Sequence, residues 1–148
     1  MIIKILLIII LIELSLSVFR QYKRKTKYKE ALQHSEKVNK KLIVIGAPFN
    51  GMMNSRFKIY GCGDICIDLI GCSGCKKTIK GDLIEVLKKI PHNKYVIFES
   101  CVLEYINKKK EALDLINKVS GGHYYSVRIF PSLFPIYFYK LKTRLFGW

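Results

Sequence analysis

KYVIFES (residues 94–100), VLEYINKKKEALDLINKV (102–119) and HYYSVRIF (123–130) follow one another, separated only by Cys101 and by Ser120-Gly121-Gly122. The first stretch is apolar on consecutive positions, as a strand covered on both faces must be. The second reads as a long helix stopped by Gly121-Gly122, and the third as another strand. A strand that returns beside itself through a helix is a parallel pair.

Working outward, the same alternation continues. DLIEVLKKI (82–90) sets Leu83, Val86, Leu87 and Ile90 at helical spacing, with Asp82 placed to cap it and Pro91 to end it. KLIVIG (41–46) reads as a short buried strand with a glycine stop. DICIDL (64–69) alternates, with Asp64, Cys66 and Asp68 on one side and Ile65, Ile67 and Leu69 on the other. Residues 78–80 suggest a third, short strand, and residues 47–63 a long loop. The expected class is α/β: a small Rossmann-like three-layer sandwich with a mostly parallel sheet of about five strands.

Ahead of this body stands MIIKILLIIILIELSLSVF (1–19), almost wholly aliphatic, and then RQYKRKTKYK (20–29), with six Lys or Arg. Eighteen residues, Ile2 to Phe19, make roughly 27 Å of helix, close to a bilayer core. Lys4 can snorkel from near the end, and Glu13 suits either a tolerated acid or a partner for a second membrane helix. Ser15-Leu16-Ser17 offers the small residues of a signal-peptidase site, but the basic flank resists translocation and favours an uncleaved anchor. The expected organisation is a transmembrane anchor at 1–19, a basic, solvated helical stalk at 20–40 and a cytosol-facing domain at 41–148.

Net charge is +15 over 148 residues. It is spread along the chain: residues 1–41 hold ten basic and three acidic groups, residues 42–148 sixteen and eight. Such a body fits an anionic membrane surface, and the lipid bilayer itself is the expected partner. No nucleic-acid-binding signature accompanies the charge, which argues against nucleic acid. Phe134, Tyr137, Phe138, Tyr139, Phe146 and Trp148, interleaved with Lys140, Lys142 and Arg144, suit a membrane-contacting segment or the completion of a small core.

VIGAPFNG (44–51), YGCGDICIDLIGC (60–72), IKGDLIEVL (79–87), YVIFESCVLEYI (95–106) and GGHYYSVRIFP (121–131) together resemble a small class I S-adenosylmethionine-dependent methyltransferase-like domain of viral and phage type. The resemblance covers about residues 41–148 and implies S-adenosylmethionine as cofactor, with a small-molecule or protein methyl acceptor. It also implies a host membrane or a virion as the setting. It implies that Gly46 and the loop through Gly51 approach the methionine part, that Asp68 accepts from the ribose hydroxyls and that Asp82 lies near the adenine. Ser100 and Cys101 would line the methyl-transfer pocket. The first loop departs from the family's G-x-G-x-G, reading Gly46-Ala47-Pro48-Phe49-Asn50-Gly51, and Pro48 removes a backbone N–H there. The resemblance equally admits a catalytically inactive relative. Asp68 also suits a plain strand end, and Asp82 a plain helix cap.

Five cysteines, Cys62, Cys66, Cys72, Cys75 and Cys101, are an odd count, which in a cytosol-facing domain points to thiols or metal ligands. A strand followed by Cys72-Ser73-Gly74-Cys75 and a helix is similar to the thioredoxin arrangement, with Pro131 in the place of that family's cis-proline; this gives a thiol oxidoreductase as the alternative function. Cys62, Cys66, Cys72 and Cys75 within fourteen residues give a second alternative, a zinc-binding interaction module. His34, His92 and His123 have no partner motif and read as structural.

Overall fold

The computed structural model describes residues 2–48 and 58–128, the side chains of residues 2–7 and 9 excepted. Two compact units divide the chain. One runs from Lys23 to Arg128 and carries the whole sheet; of the other, the described part is helical, Ile2–Tyr22.

The elements are α1 (Ile2–Lys37), β1 (Lys41–Ile45), β2 (Ile65–Asp68), β3 (Thr78–Lys80), α2 (Leu83–Leu87), β4 (Tyr95–Ser100), a 3-10 turn (Leu103–Tyr105), α3 (Lys109–Ser120) and β5 (Tyr124–Val127). The five strands form one sheet in the order β3-β2-β1-β4-β5, every pair parallel. Ile43 sits in register with Ile65 on one side and Ile97 on the other. The α/β class and the mostly parallel sheet of about five strands read from the sequence are therefore present, and the sheet is parallel throughout.

The sheet is buried on both faces: every position of β1 and β4 after the first is buried, and Leu42–Ile45 and Val96–Phe98 are all apolar. On one face Ile43, Ile45, Ile65, Ile67 and Ile97 pack against Leu83, Ile84 and Leu87 of α2 and Ala112, Ile116 and Val119 of α3. On the other, Tyr28 of α1 meets Phe98 edge-on at 5.5 Å between ring centres, and Tyr60 meets the same ring at 5.1 Å. Phe98 is fully buried, which stabilises by about 1.5–3 kcal/mol.

This second face corrects the expectation of a solvated stalk. Ala31 is completely buried and Ser35 nearly so. Arg24, Tyr28, Ala31 and Ser35 recur at helical spacing, so Lys23–Lys37 of α1 is one layer of the body. The long helix expected over 102–119 is also shorter. Glu99 draws the Val102 and Leu103 N–H groups into a turn, Ile106 is extended, and α3 begins at Lys109. Its end is as read: Gly121 takes the left-handed conformation at φ 60° and donates to the Asn117 carbonyl at 2.9 Å.

In Ile2–Tyr22 the described aliphatic side chains, Leu11 and Val18 among them, are exposed. Glu13 pairs with Arg20 of the same helix at 3.2 Å. Among the described residues no helix is long and apolar enough to cross a membrane; the side chains of residues 2–7 and 9, much of the expected anchor, lie outside them. The aromatic segment from Phe134 to Trp148, and Pro131, also lie outside the described residues.

Candidate site at the carboxyl edge of the sheet

The chain steps from β1 out to β2 and β3, then crosses back to β4 and β5, so the strand order reverses between β1 and β4. In open parallel sheets the loops at such a reversal leave a crevice at the carboxyl ends of the strands. Gly46, at φ +95° directly after β1, lines that point. A Cβ there would stand 2.7 Å from Val102 Cγ2 and 3.1 Å from the Ser100 carbonyl, so only glycine fits beneath the chain leaving β4.

Asp68 ends β2 and binds three loops together. Its Oδ2 accepts the Ala47 N–H at 2.9 Å, and its Oδ1 accepts the Ile70 N–H at 3.0 Å. Its backbone carbonyl accepts from Gly71 and Gly81, at 3.3 and 3.2 Å. Gly46, Asp68, Ser100 and Cys101 thus share one edge. Asp82 stands one residue beyond Gly81 and caps α2, its Oδ1 accepting from Ile84 and Glu85 at 2.9 and 3.2 Å. Gly51 lies outside the described residues.

The end of β4 holds polar groups that the sequence reading did not single out. Glu99 is completely buried. One of its oxygens accepts from Val102 and Leu103 at 2.6 and 3.2 Å, the other from the hydroxyls of Ser126 and Tyr124 at 2.7 and 3.2 Å. Burial pushes the Tyr124 phenol up to about 12 although Ser126 pulls the other way. An acid inside the apolar run YVIFES was the available signal: a buried carboxylate needs several donors, so it marks a tight local network.

Tyr60 donates to the Ala47 carbonyl at 3.1 Å, and burial pushes its phenol up to about 12 against the pull of Ser100 and Arg24. The Ser100 Oγ is buried beside it without a hydrogen bond of acceptable geometry, as is Arg24 Nε. Arg24 Nη2 instead points at Cys101 Sγ, 3.3 Å away, and that thiol donates to the Val127 carbonyl at 3.5 Å. Cys101 itself sits at φ 56°, a left-handed conformation unusual for a residue with a Cβ.

The other four cysteines are not free. Cys62 pairs with Cys75 and Cys66 with Cys72, one bridge nested inside the other. This corrects the expectation of thiols. Cys72 and Cys75 are not partners of each other, as a thioredoxin-type exchange requires, and four oxidised sulfurs are not the thiolates that zinc requires. Among the described residues no group of three or more His, Cys, Asp or Glu can hold a metal ion. The spacing misled because two of these residues are brought together by the turn after β2, with Cys75 stepping back to Cys62 ahead of the strand. Cys101 is the one free cysteine.

A cleft of about 530 Å³ lies between the α1–β1 turn and the start of β4, lined by Val38, Asn39, Lys40, Lys41, Asn93, Lys94 and Tyr95. That is the amino edge of the sheet, opposite the edge that carries Asp68. Comparison with protein-family models, with curated proteins and with solved structures finds no match to this chain.

Proposed function

We propose that the chain is a single-pass membrane protein whose Rossmann-like body binds a nucleoside cofactor of the S-adenosylmethionine type at the carboxyl edge of the sheet, as a methyltransferase-like domain. One observation carries the reading. The acid that ends β2 reaches the second residue after β1 at the reversal of strand order, where open α/β sheets take nucleosides. Each Asp68 oxygen uses one acceptor position on a backbone N–H and keeps another, and two adjacent ribose hydroxyls suit such a carboxylate. Gly46 and Ser100 stand at the same edge. The methyl acceptor is a small molecule or a protein group; the buried Glu99 is fully engaged and is not assigned as a base.

The anchor rests on the sequence of Ile2–Phe19, roughly 27 Å of apolar helix, and on the Glu13–Arg20 pair, which spares the bilayer a lone interior charge.

A second reading, a catalytically inactive relative that keeps the fold, is favoured by two observations. Val102 packs directly over Gly46, and the nested disulfides persist in oxidising compartments, whereas the basic flank favours the cytosolic side where the cofactor is made. Calorimetry of the full chain in detergent, with S-adenosylmethionine and S-adenosylhomocysteine, separates them. Heat of binding that disappears in folded Asp68→Asn supports the cofactor site. Absence of heat at millimolar ligand removes that reading and leaves the inactive relative.

A further inference from the structure

The loop after β2 lifts two adjacent aliphatic side chains into solvent. Leu69 is 62% exposed and Ile70 79%. Single exposed aliphatics need no explanation, but this pair is held in place. The Ile70 N–H donates to Asp68 Oδ1, the Cys72 N–H donates to Thr78 Oγ1 at 2.9 Å, and Cys72 and Cys75 are each bridged to the chain ahead of the loop. The tip is braced on both sides, so little conformational freedom remains to be lost when something binds it.

The loop and the short strand after it carry one sign of charge. From Leu69 to Lys80 the chain has three lysines and no acid. Lys76, Lys77 and Lys80 are exposed, and exposed Lys58 reaches the same loop by donating to the Gly74 carbonyl at 2.6 Å. The flanking acids are turned onto backbone N–H groups, Asp64 onto Leu42, Asp68 onto Ala47 and Ile70, and Asp82 onto Ile84 and Glu85.

We propose that this braced tip, Leu69-Ile70 among Lys58, Lys76, Lys77 and Lys80, docks on an anionic lipid surface. The aliphatic pair enters the boundary between headgroups and acyl chains while the ammonium groups meet lipid phosphates and carboxylates. An apolar tip with Lys80 beside Gly71, and with Lys58, Lys76 and Lys77 set back toward the other end of β3, fits a surface that is apolar beneath and anionic above. The inference deepens the membrane part of the proposed function, on which it rests, and is independent of the cofactor.

The test uses the full chain carrying Ile70→Trp and Trp148→Phe, reconstituted with brominated-acyl vesicles that are rich in phosphatidylserine or purely phosphatidylcholine. Docking predicts blue-shifted, quenched emission with phosphatidylserine and much less with phosphatidylcholine. Each Lys→Glu change at 76 or 77 removes at least about fivefold of the partitioning. A chain that floats with the vesicles but shows unquenched emission overturns the tip and leaves the anchor standing; a chain that floats with neither vesicle overturns both. Emission already blue-shifted without lipid means that protein covers the tip, which also overturns the proposal. In the unaltered chain, amide exchange at Leu69–Ser73 slows on phosphatidylserine vesicles if the tip docks, and unchanged exchange refutes it.

Discussion

The Asp68 carboxylate accepts the Ala47 backbone N–H at 2.9 Å, so the acid at the end of β2 closes the loop that leaves β1. Its other oxygen does the same for its own turn through Ile70. The residue that a nucleoside site would use is therefore also the residue that shapes the site, and fold and ligand binding are coupled through one side chain.

Asp68→Asn separates the two roles. A carboxamide oxygen can serve one of the two N–H groups, but its NH2 then faces the other, leaving a donor without an acceptor. The expected loss is about 1–3 kcal/mol, read as a lower urea midpoint at unchanged m-value. Equal stability of variant and parent would mean that these two hydrogen bonds do not hold the loops.

Glu99 makes a contrasting case. The donors on one of its oxygens are hydroxyls, from Tyr124 and Ser126, and hydroxyls can also accept. Glu99→Gln can keep its oxygen on Val102 and Leu103 and offer its NH2 to those hydroxyls, so the expected cost is below about 1.5 kcal/mol. Glu99→Ala strands two backbone N–H groups and opens a cavity, for about 3 kcal/mol or more. Chemical denaturation of the two variants checks the ordering; a Gln variant as damaged as the Ala variant would contradict it.

The nested disulfides predict a thiol count. Native and denatured chain should each titrate one thiol, that of Cys101, and four more should appear only after reduction. Replacing Cys62 and Cys75 by serine removes a bridge across thirteen positions and should cost about 2–4 kcal/mol. Five thiols in the unreduced, denatured chain would exclude the pairing and return these residues to the zinc question.

Much of this was legible in the sequence, for identifiable reasons. β1 and β4 are continuous apolar runs, and only a sheet covered on both faces buries those, so the parallel class followed from LIVI and YVIF alone. The layer made by Lys23–Lys37 was hidden because its buried face consists of Tyr28, Ala31 and Ser35, small or amphipathic residues set in a lysine-rich stretch that hydropathy reads as solvated. The bridges were hidden because partner choice among four cysteines depends on the turn that brings them together, which spacing does not specify. Asp68 and Asp82 were legible as positions; the bonds that occupy them required coordinates.

A last prediction concerns pH. His34 Nε2 and His123 Nδ1 stand 2.9 Å apart, one donating and the other accepting, with the Tyr125 ring 5.7 Å from His34 and Lys27 over that ring. The His123 imidazole is held below its ordinary value of 6.5, by burial first and then by the charges of Lys40 and His34. The folded chain therefore resists a proton that the unfolded chain accepts near 6.5, and unfolding takes up protons below that pH. Stability due to this group is present in full above the ordinary histidine range and is lost as pH falls from about 7 through 6.5 and below. Denaturant midpoints at pH 7.5 and 5.5 should show the decline in the parent chain and a smaller decline in His123→Asn; equal declines would mean that other groups set the acid limb.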